Sequence, residues 1–356
     1  MVAILQSIVP DYRSAFFSKI QEKCEVEIFC YEDEQSLKSN NFHGSIVKTS
    51  SIKRFKFKNF IVVNPFTLWN KKYDTLVLML TPYHIISWFF LITKFIHKKK
   101  IILWGHGISI SGFLVEERKV SFLKKWLIVL SDEVWFYTNN ELELWKKRLP
   151  TINAISLNNT ISSVTDIMNR PPLDKEKLKY KYGIKERIAI IYCARFNEEG
   201  RRVDLLEKLI SMTCNQDIAY IIIGDGLLKP NFSKYPAVRD FGAIYDQKIK
   251  NELFQLADIY FQPGWVGLSI VEAMAYGKPI FTLKRSKNIP QCVEYSYIIN
   301  GYNGYLFDSV EDVYQKIVSI DSTSIQKLSC NCRRFVYNFL TIDGMITRAL
   351  DSLKEK

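Results

Sequence analysis

The stretch PGWVGLSIVEAMAYGKPI, residues 263–280, holds the densest chemistry in the chain. Glycines at 264 and 267 let the backbone approach a ligand closely. The amides of Val266, Gly267 and Leu268 stand at the incoming end of a helix, an arrangement that receives phosphate. Glu272 lies four positions past Leu268, about one helical turn deeper. A carboxylate there repels phosphate, yet it can accept two hydrogen bonds from a vicinal diol. A ribose beside its diphosphate offers that diol. The spacing also fits a plain capping carboxylate near a helix start.

His106 is the second candidate. Of four histidines, at 43, 84, 97 and 106, it alone stands between glycines directly after an apolar strand, KIILWGHG. That placement suits a hydrogen bond to a bound substrate, or one that merely holds its own loop. A zinc site is disfavoured, since no second ligand is near in sequence. His84, in TPYHIIS, is a weaker candidate of the same kind. No G-x-S-x-G nucleophile motif and no D-x-D run occurs. Their absence agrees with a site that needs neither metal nor cofactor, which is the expectation here.

Loops of this kind need strands before them and helices behind. Apolar runs alternate with amphipathic stretches throughout, which predicts α/β architecture with parallel sheets. VAILQSI, VEIFCY, TLVLML, KIILWG, EVWFYT and NAISLN read as strands in the first half, with helices at 13–23, 83–97, 117–130 and 139–148. RIAIIYCA, AYIIIGDG, DIYFQPG and KPIFTL read as strands in the second, with helices near 203–212, 246–256 and 268–276. The polar stretch 158–186, with its Pro-Pro pair and Asp174 at a capping position, breaks the rhythm. Two Rossmann-like domains are expected, at 1–165 and 166–335, facing each other across a cleft where ligands meet the carboxyl ends of the strands. A C-terminal helix at 336–356 is expected to pack back on the first domain. Segment 322–356 reads as two helices with Gly344 near the break.

A chain of 356 residues suits two domains of about 150–200 residues each. Its 47% apolar and 24% charged composition is that of a folded globular protein and argues against disorder. The seven cysteines form an odd set without a C-x-x-C pair and read as reduced and buried, which points to the cytosol. The opening MVAILQSIVPDYRSAFF has neither a basic leader nor a cleavage site. The most apolar run, 85–92, spans eight residues against the ~20 a membrane crossing needs. The net charge of +12 is concentrated, because residues 51–100 carry ten Lys and Arg against one Asp. Basic residues interleaved with Phe and Trp suit an anionic membrane surface or an acidic, lipid-linked substrate. A solvated face is the plainer reading, and no nucleic-acid reader motif accompanies the patch.

The segment GLSIVEAMAYGKP (267–279) resembles the signature of the retaining glycosyltransferases of the GT-B fold, family 4. CARFNEEGRRVDLLEKL (193–209), IIIGDG (221–226), FGAIYDQKIKNELFQLADIYFQPG (241–264) and NGYNGYLF (300–307) are similar to further segments of that family. ILWGHGIS (102–109) looks like a loop of its polysaccharide-assembly members. The resemblance implies that Arg195 and Arg201 neutralise the donor diphosphate, with Arg202 the alternative to Arg201 because the FNEEG loop is one residue longer than usual. It implies that Glu272 holds the ribose and that the backbone at Gly242 lines the base pocket. The family's first glutamate, eight positions before Glu272, is replaced by Gly264, which leaves its sugar contact either to backbone amides or to a stacking face of Trp265. The family's glycine-rich loop after the first strand is absent as well. Arg13 stands there, either reaching the cleft or capping a helix.

What the resemblance implies is a sugar transfer from a nucleoside-diphosphate sugar, with uridine the first choice of base, to a hydroxyl of a lipid-linked saccharide. Retention of configuration and a place in bacterial surface-polysaccharide assembly go with it. The enzyme is expected in the cytoplasm, held at the inner face of the membrane through residues 51–100, without a nucleic-acid partner. A sugar-nucleotide epimerase, a polyol-phosphate transferase and a non-catalytic nucleotide-binding scaffold are the alternatives.

Overall fold

The computed structural model describes residues 1–32, 47–109, 112–113 and 120–354. The chain divides into two compact units, Met1–Ser162 together with Thr341–Lys356, and Ser163–Leu340. The divisions fall at 162/163 and 340/341, not at the expected 165/166 and 335/336.

In the first unit, strands β1 (Val2–Gln6), β2 (Val26–Cys30) and β3 (Ser50–Ser51) precede a hairpin of β4 (Arg54–Phe57) and β5 (Phe60–Val63). Then come β6 (Thr75–Met79), β7 (Lys100–Gly105), β8 (Glu133–Phe136) and β9 (Ala154–Ser156). All but the hairpin form one parallel sheet in the order β3-β2-β1-β6-β7-β8-β9. Covered on both faces, its central strands carry continuous apolar runs, such as the fully buried Ile101, Ile102 and Leu103. The C-terminal helix Ile342–Lys354 packs against the helix Ser14–Lys23 in this unit. Lys19 pairs with Asp343 at 2.7 Å, and the Trp135 indole N–H donates to Ser352 Oγ at 2.8 Å.

The second unit carries β10 (Ile188–Cys193), β11 (Ile218–Ile223), β12 (Val238–Asp240), β13 (Ile259–Phe261), β14 (Ile280–Leu283) and β15 (Gly304–Phe307). They form one parallel sheet in the order β12-β11-β10-β13-β14-β15. Both units are therefore Rossmann-like. The helix Val203–Met212 buries Val203, Leu206, Leu209 and Ile210 on the sheet, an i, i+3, i+6, i+7 stripe. Asp174 caps the helix Lys175–Tyr182 by accepting from the amides of Glu176 and Lys177.

Several expectations need correction. β3, the β4–β5 hairpin, β12 and β15 were not anticipated. The helix expected at 83–97 is two pieces, Ile85–Ile92 and Lys94–His97, and that expected at 117–130 runs Phe122–Leu130, with 117–119 outside the described residues. The last two helices break at 340–341, where the Thr341 hydroxyl accepts from the Gly344 amide, so Gly344 lies inside the second helix. No two cysteines are bridged, and Cys214 and Cys330 are exposed, not buried.

Candidate active site

In the second unit the chain passes from β10 outward to β12, then returns to β13 on the other side of β10. The crevice beyond β10 and β13 is thus a topological switch point, where ligands of open α/β sheets bind. The loops leaving these two strands carry Arg195, Arg201, Arg202 and residues 262–268.

Two buried glutamines build the loop after β13. Gln262 donates to the carbonyls of Gly264 (2.9 Å) and Trp265 (2.8 Å) while accepting from the Tyr260 hydroxyl (2.7 Å). Gln291 accepts from the Val266 amide at 2.9 Å and donates to the carbonyl of Leu283 at 2.9 Å. This corrects one expectation, because the Val266 N–H is already satisfied and does not face a ligand. The amides of Gly267 and Leu268 donate to no described group, so of the three expected amides these two are left open to a ligand. The glutamines escaped sequence reading because their partners lie up to 28 residues away.

Gly264 has no room for a side chain. A Cβ there would stand 2.3 Å from the Gly200 carbonyl oxygen, so the longer loop after β10 fills the space a glutamate would occupy. Trp265 adopts φ +55° and lies over Gly200, whose own Cβ would meet the indole at 2.5 Å. One side of its ring is therefore covered by that loop.

Glu272 sits in the first turn of the helix Ser269–Ala275 with its side chain 14% exposed. Its partner is Lys250, from the helix Gln247–Leu256. Burial works against the Lys250 charge, but the Glu272 carboxylate beside it holds the amine above its usual value. Nothing in QKIKNELFQL marked this lysine, since a helical lysine usually faces water. Around the pair, Cys193 ends β10 as a protonated thiol, pushed up to about 12 by burial with Glu272 adding to the effect and Lys250 and Arg201 opposing it.

The three arginines differ. Arg202 is committed to Asp204 (Nε–Oδ1 2.9 Å, Nη2–Oδ2 2.6 Å) and to the carbonyl of Asn288 (2.9 Å). Arg201 lies within electrostatic reach of Tyr192, Cys193, Tyr260 and Cys292, its Nε buried without a hydrogen-bond partner among the described residues. Arg195 is exposed in the same loop. Gly242, beyond β12, takes φ +64° with open space at its Cβ position, and its carbonyl accepts from Gly224 at 2.7 Å.

In the first unit His106 follows β7. Its loop is fixed by Glu141, whose carboxylate accepts from the Gly107 amide (2.8 Å) and closes a capping box with Thr138. The T-x-x-E spacing of Thr138 and Glu141 was a legible signal for it. Trp145 donates to the Gly107 carbonyl at 3.1 Å, and a Cβ on Gly107 would strike Phe136 and Trp145 at 2.7 Å. The imidazole meets Tyr137 edge-on at 4.4 Å, with Nδ1 buried and unpartnered among the described residues. Burial first, then the Arg13 and Lys124 charges, push His106 down to about 3, so it is a neutral hydrogen-bonding group. Arg13 donates to the Tyr137 hydroxyl (3.3 Å) and Asn159 Oδ1 (3.4 Å) and lies over the Trp104 ring; it makes no side-chain cap. His84 is buried against the Tyr31 hydroxyl at 3.1 Å and is a core residue, not a site candidate.

Residues 187–321 match the family model described as Glycosyl transferases group 1. No curated protein matches the chain significantly. Among solved structures, the chain is similar to Anabaena Alr3699/HepE in complex with UDP, at 14% identity and TM-score 0.69, covering 100% of this chain and 99% of that one. It is also similar to the lipopolysaccharide outer core galactosyltransferase WaaB, at 15% identity and TM-score 0.66 over 99% of each chain. A glycosyltransferase from Rickettsia africae follows at 17% identity and TM-score 0.61, covering 100% and 99%. These likenesses show the GT-B type of fold.

Proposed function

We propose that this chain, whose second unit carries the glycosyl transferases group 1 segment, moves a sugar from a nucleoside-diphosphate donor to a hydroxyl acceptor. The carrying observation is that this segment, 187–321, contains Arg195, Arg201, the Gly267 and Leu268 amides and Glu272, on the two loops and the following helix at the switch point. Uridine is the donor nucleoside, a choice supported by the UDP and UDP-glucose complexes of the structurally similar Anabaena protein. Glu272 accepts from the ribose diol, while Arg195, Arg201 and the two amides hold the diphosphate.

Transfer proceeds with retention by front-face displacement. The bond from the anomeric carbon to the diphosphate oxygen breaks as the acceptor oxygen bonds to the same face. The departing diphosphate oxygen takes the acceptor proton, giving glycoside and nucleoside diphosphate. The protein contributes orientation and charge stabilisation and no nucleophile. Neutral His106 orients sugar or acceptor by a hydrogen bond, and no metal is needed. The acceptor is a lipid-linked saccharide of bacterial surface-polysaccharide assembly. The chain works in the cytoplasm, at the inner membrane face, drawn to anionic lipid by residues 51–100.

The test is incubation of the full chain with UDP-[14C]glucose, UDP-galactose and lipid-diphosphate-linked sugars, with and without EDTA. Label in the lipid fraction, an axial product linkage from an axial donor by NMR, and unchanged rates in EDTA support the reading. An altered free sugar nucleotide, or nucleotide binding without turnover across all acceptors, contradicts it.

A further inference from the structure

The first unit carries an outer apolar face that none of its described elements covers. The β4–β5 hairpin pairs Phe55 with Val62 and Phe57 with Phe60, which places all four side chains on one face. All four are exposed, Phe55 by 66%. The opposite face turns Ile61 and the buried Val63 inward.

The helix Ile85–Ile92 lies beside β5, its entry tied to the hairpin by the Ile61 amide donating to the Tyr83 carbonyl at 2.9 Å. It is apolar around nearly its whole circumference. Phe90 and Leu91 face the core, while Ile85 and Ile92 face out, followed by Phe95 (76% exposed) and Ile96 in the next turn. On its other side packs the helix Phe122–Leu130, whose burial is inverted. It buries Lys124 with Leu127 and Ile128 and exposes Phe122 (68%), Leu123, Trp126 and Val129. A surface helix of a water-soluble domain turns that stripe inward. Three adjacent elements thus form a patch well beyond the scattered apolar residues of ordinary surfaces.

The segments that carry this face hold charge of one sign, although Arg54, Lys72 and Lys94 pair with Glu32, Glu27 and Asp132 of neighbouring elements. Across residues 52–73, 82–98 and 120–130 there are ten Lys and Arg and not one Asp or Glu. Lys53, Lys56, Lys58, Lys71, Lys98 and Lys125 are exposed and make no ion pair among the described residues. Aromatic and aliphatic side chains flanked by unpaired lysines match the two layers of an anionic bilayer interface, acyl boundary and phosphate headgroups. No helix among the described residues is long and apolar enough to cross a membrane.

We infer that this face is a monotopic insertion surface, on which the β4–β5 hairpin and the helices Ile85–Ile92 and Phe122–Leu130 enter the interfacial layer of an anionic bilayer. This deepens the membrane part of the proposed function, from attraction by the basic stretch 51–100 to insertion through a surface that includes 122–130. Insertion leaves a component of binding that salt does not remove.

The test is flotation of the full chain with phosphatidylcholine vesicles containing 30% phosphatidylglycerol, in 0.1 M and 0.5 M NaCl, with the UDP-induced thermal shift measured in parallel. The wild type should float and should remain partly bound in high salt. The pair Phe122→Ser with Trp126→Ser should lower partitioning at least about tenfold while leaving the UDP shift intact. In the wild type, lipids brominated near the acyl boundary should quench tryptophan fluorescence, and Trp126→Phe should remove much of that quenching. Absence of flotation, complete release in high salt, or full binding by the double variant overturns the inference, as does loss of self-association in that variant in place of lipid binding. A lost UDP shift with retained flotation would instead count against the transferase reading alone.

Discussion

Lys250 Nζ stands 2.7 Å and 2.8 Å from the two carboxylate oxygens of Glu272, and both side chains are mostly buried. The carboxylate proposed to receive the ribose is therefore held in place by the protein itself, and its negative charge is offset beside the proposed diphosphate site. Lys250→Met leaves Glu272 unpaired and should destabilise the fold by about 3 kcal/mol. Adding Glu272→Gln should restore most of that loss. Urea unfolding of both variants checks the pair.

Arg201 and Arg202 are adjacent, yet removing them should have opposite consequences. Arg202→Ala breaks contacts to Asp204 and Asn288 and should lower stability, with nucleotide affinity little changed. Arg201→Ala should leave the melting temperature nearly unchanged and weaken UDP binding by about 1.5–3 kcal/mol, roughly 10- to 150-fold. Calorimetric titration and thermal melts of the two variants separate the roles.

Installing a glutamate at 264 should fail to help. Even Gly264→Ala places a Cβ 2.3 Å from the Gly200 carbonyl oxygen, and the loop must move. The expected loss is about 1–3 kcal/mol for alanine and more for glutamate, with no gain in donor affinity. A melting temperature unchanged in Gly264→Glu would contradict the packing described here.

Acid should weaken the first unit through two histidines. Burial pushes His84 down to about 4 and, with Arg13 and Lys124 adding to the effect, His106 to about 3, against 6.5 in the unfolded chain. Between pH 6.5 and 4 the unfolded chain binds more protons than the folded one. Stability from these groups is therefore complete above pH 6.5 and falls as pH drops, by about 1.4 kcal/mol per pH unit for each. Urea midpoints from pH 4.5 to 7.5 should show this slope, and His84→Phe should reduce it by one group's share.

Much of the fold was legible because parallel strands covered on both faces leave unbroken apolar runs, as in IAIIYC and IAYIII. β12, Val-Arg-Asp, is three residues long at a sheet edge and leaves no such run. The hairpin was legible in principle, since RFKF alternates with period two, but its lysines drew the reading toward charge. Glu272 and the glycines could be singled out because their placement, a loop after a strand and the first turn of a helix, is local in sequence. Lys250, Gln262 and Gln291 could not, because each acquires its role from a neighbour that only the fold supplies.

The central claim is that Glu272 and the 267–268 amides form a nucleoside-diphosphate site. The most direct measurement is the thermal shift produced by UDP, GDP, dTDP and CDP on the wild type, Glu272→Ala and Glu272→Gln, each read against its own ligand-free melt. At 100 times its dissociation constant, UDP should stabilise the wild type by about 2.7 kcal/mol, and both variants should lose most of that gain. If no nucleotide shifts the wild type, or if the variants respond as fully as the wild type, the site assignment is wrong.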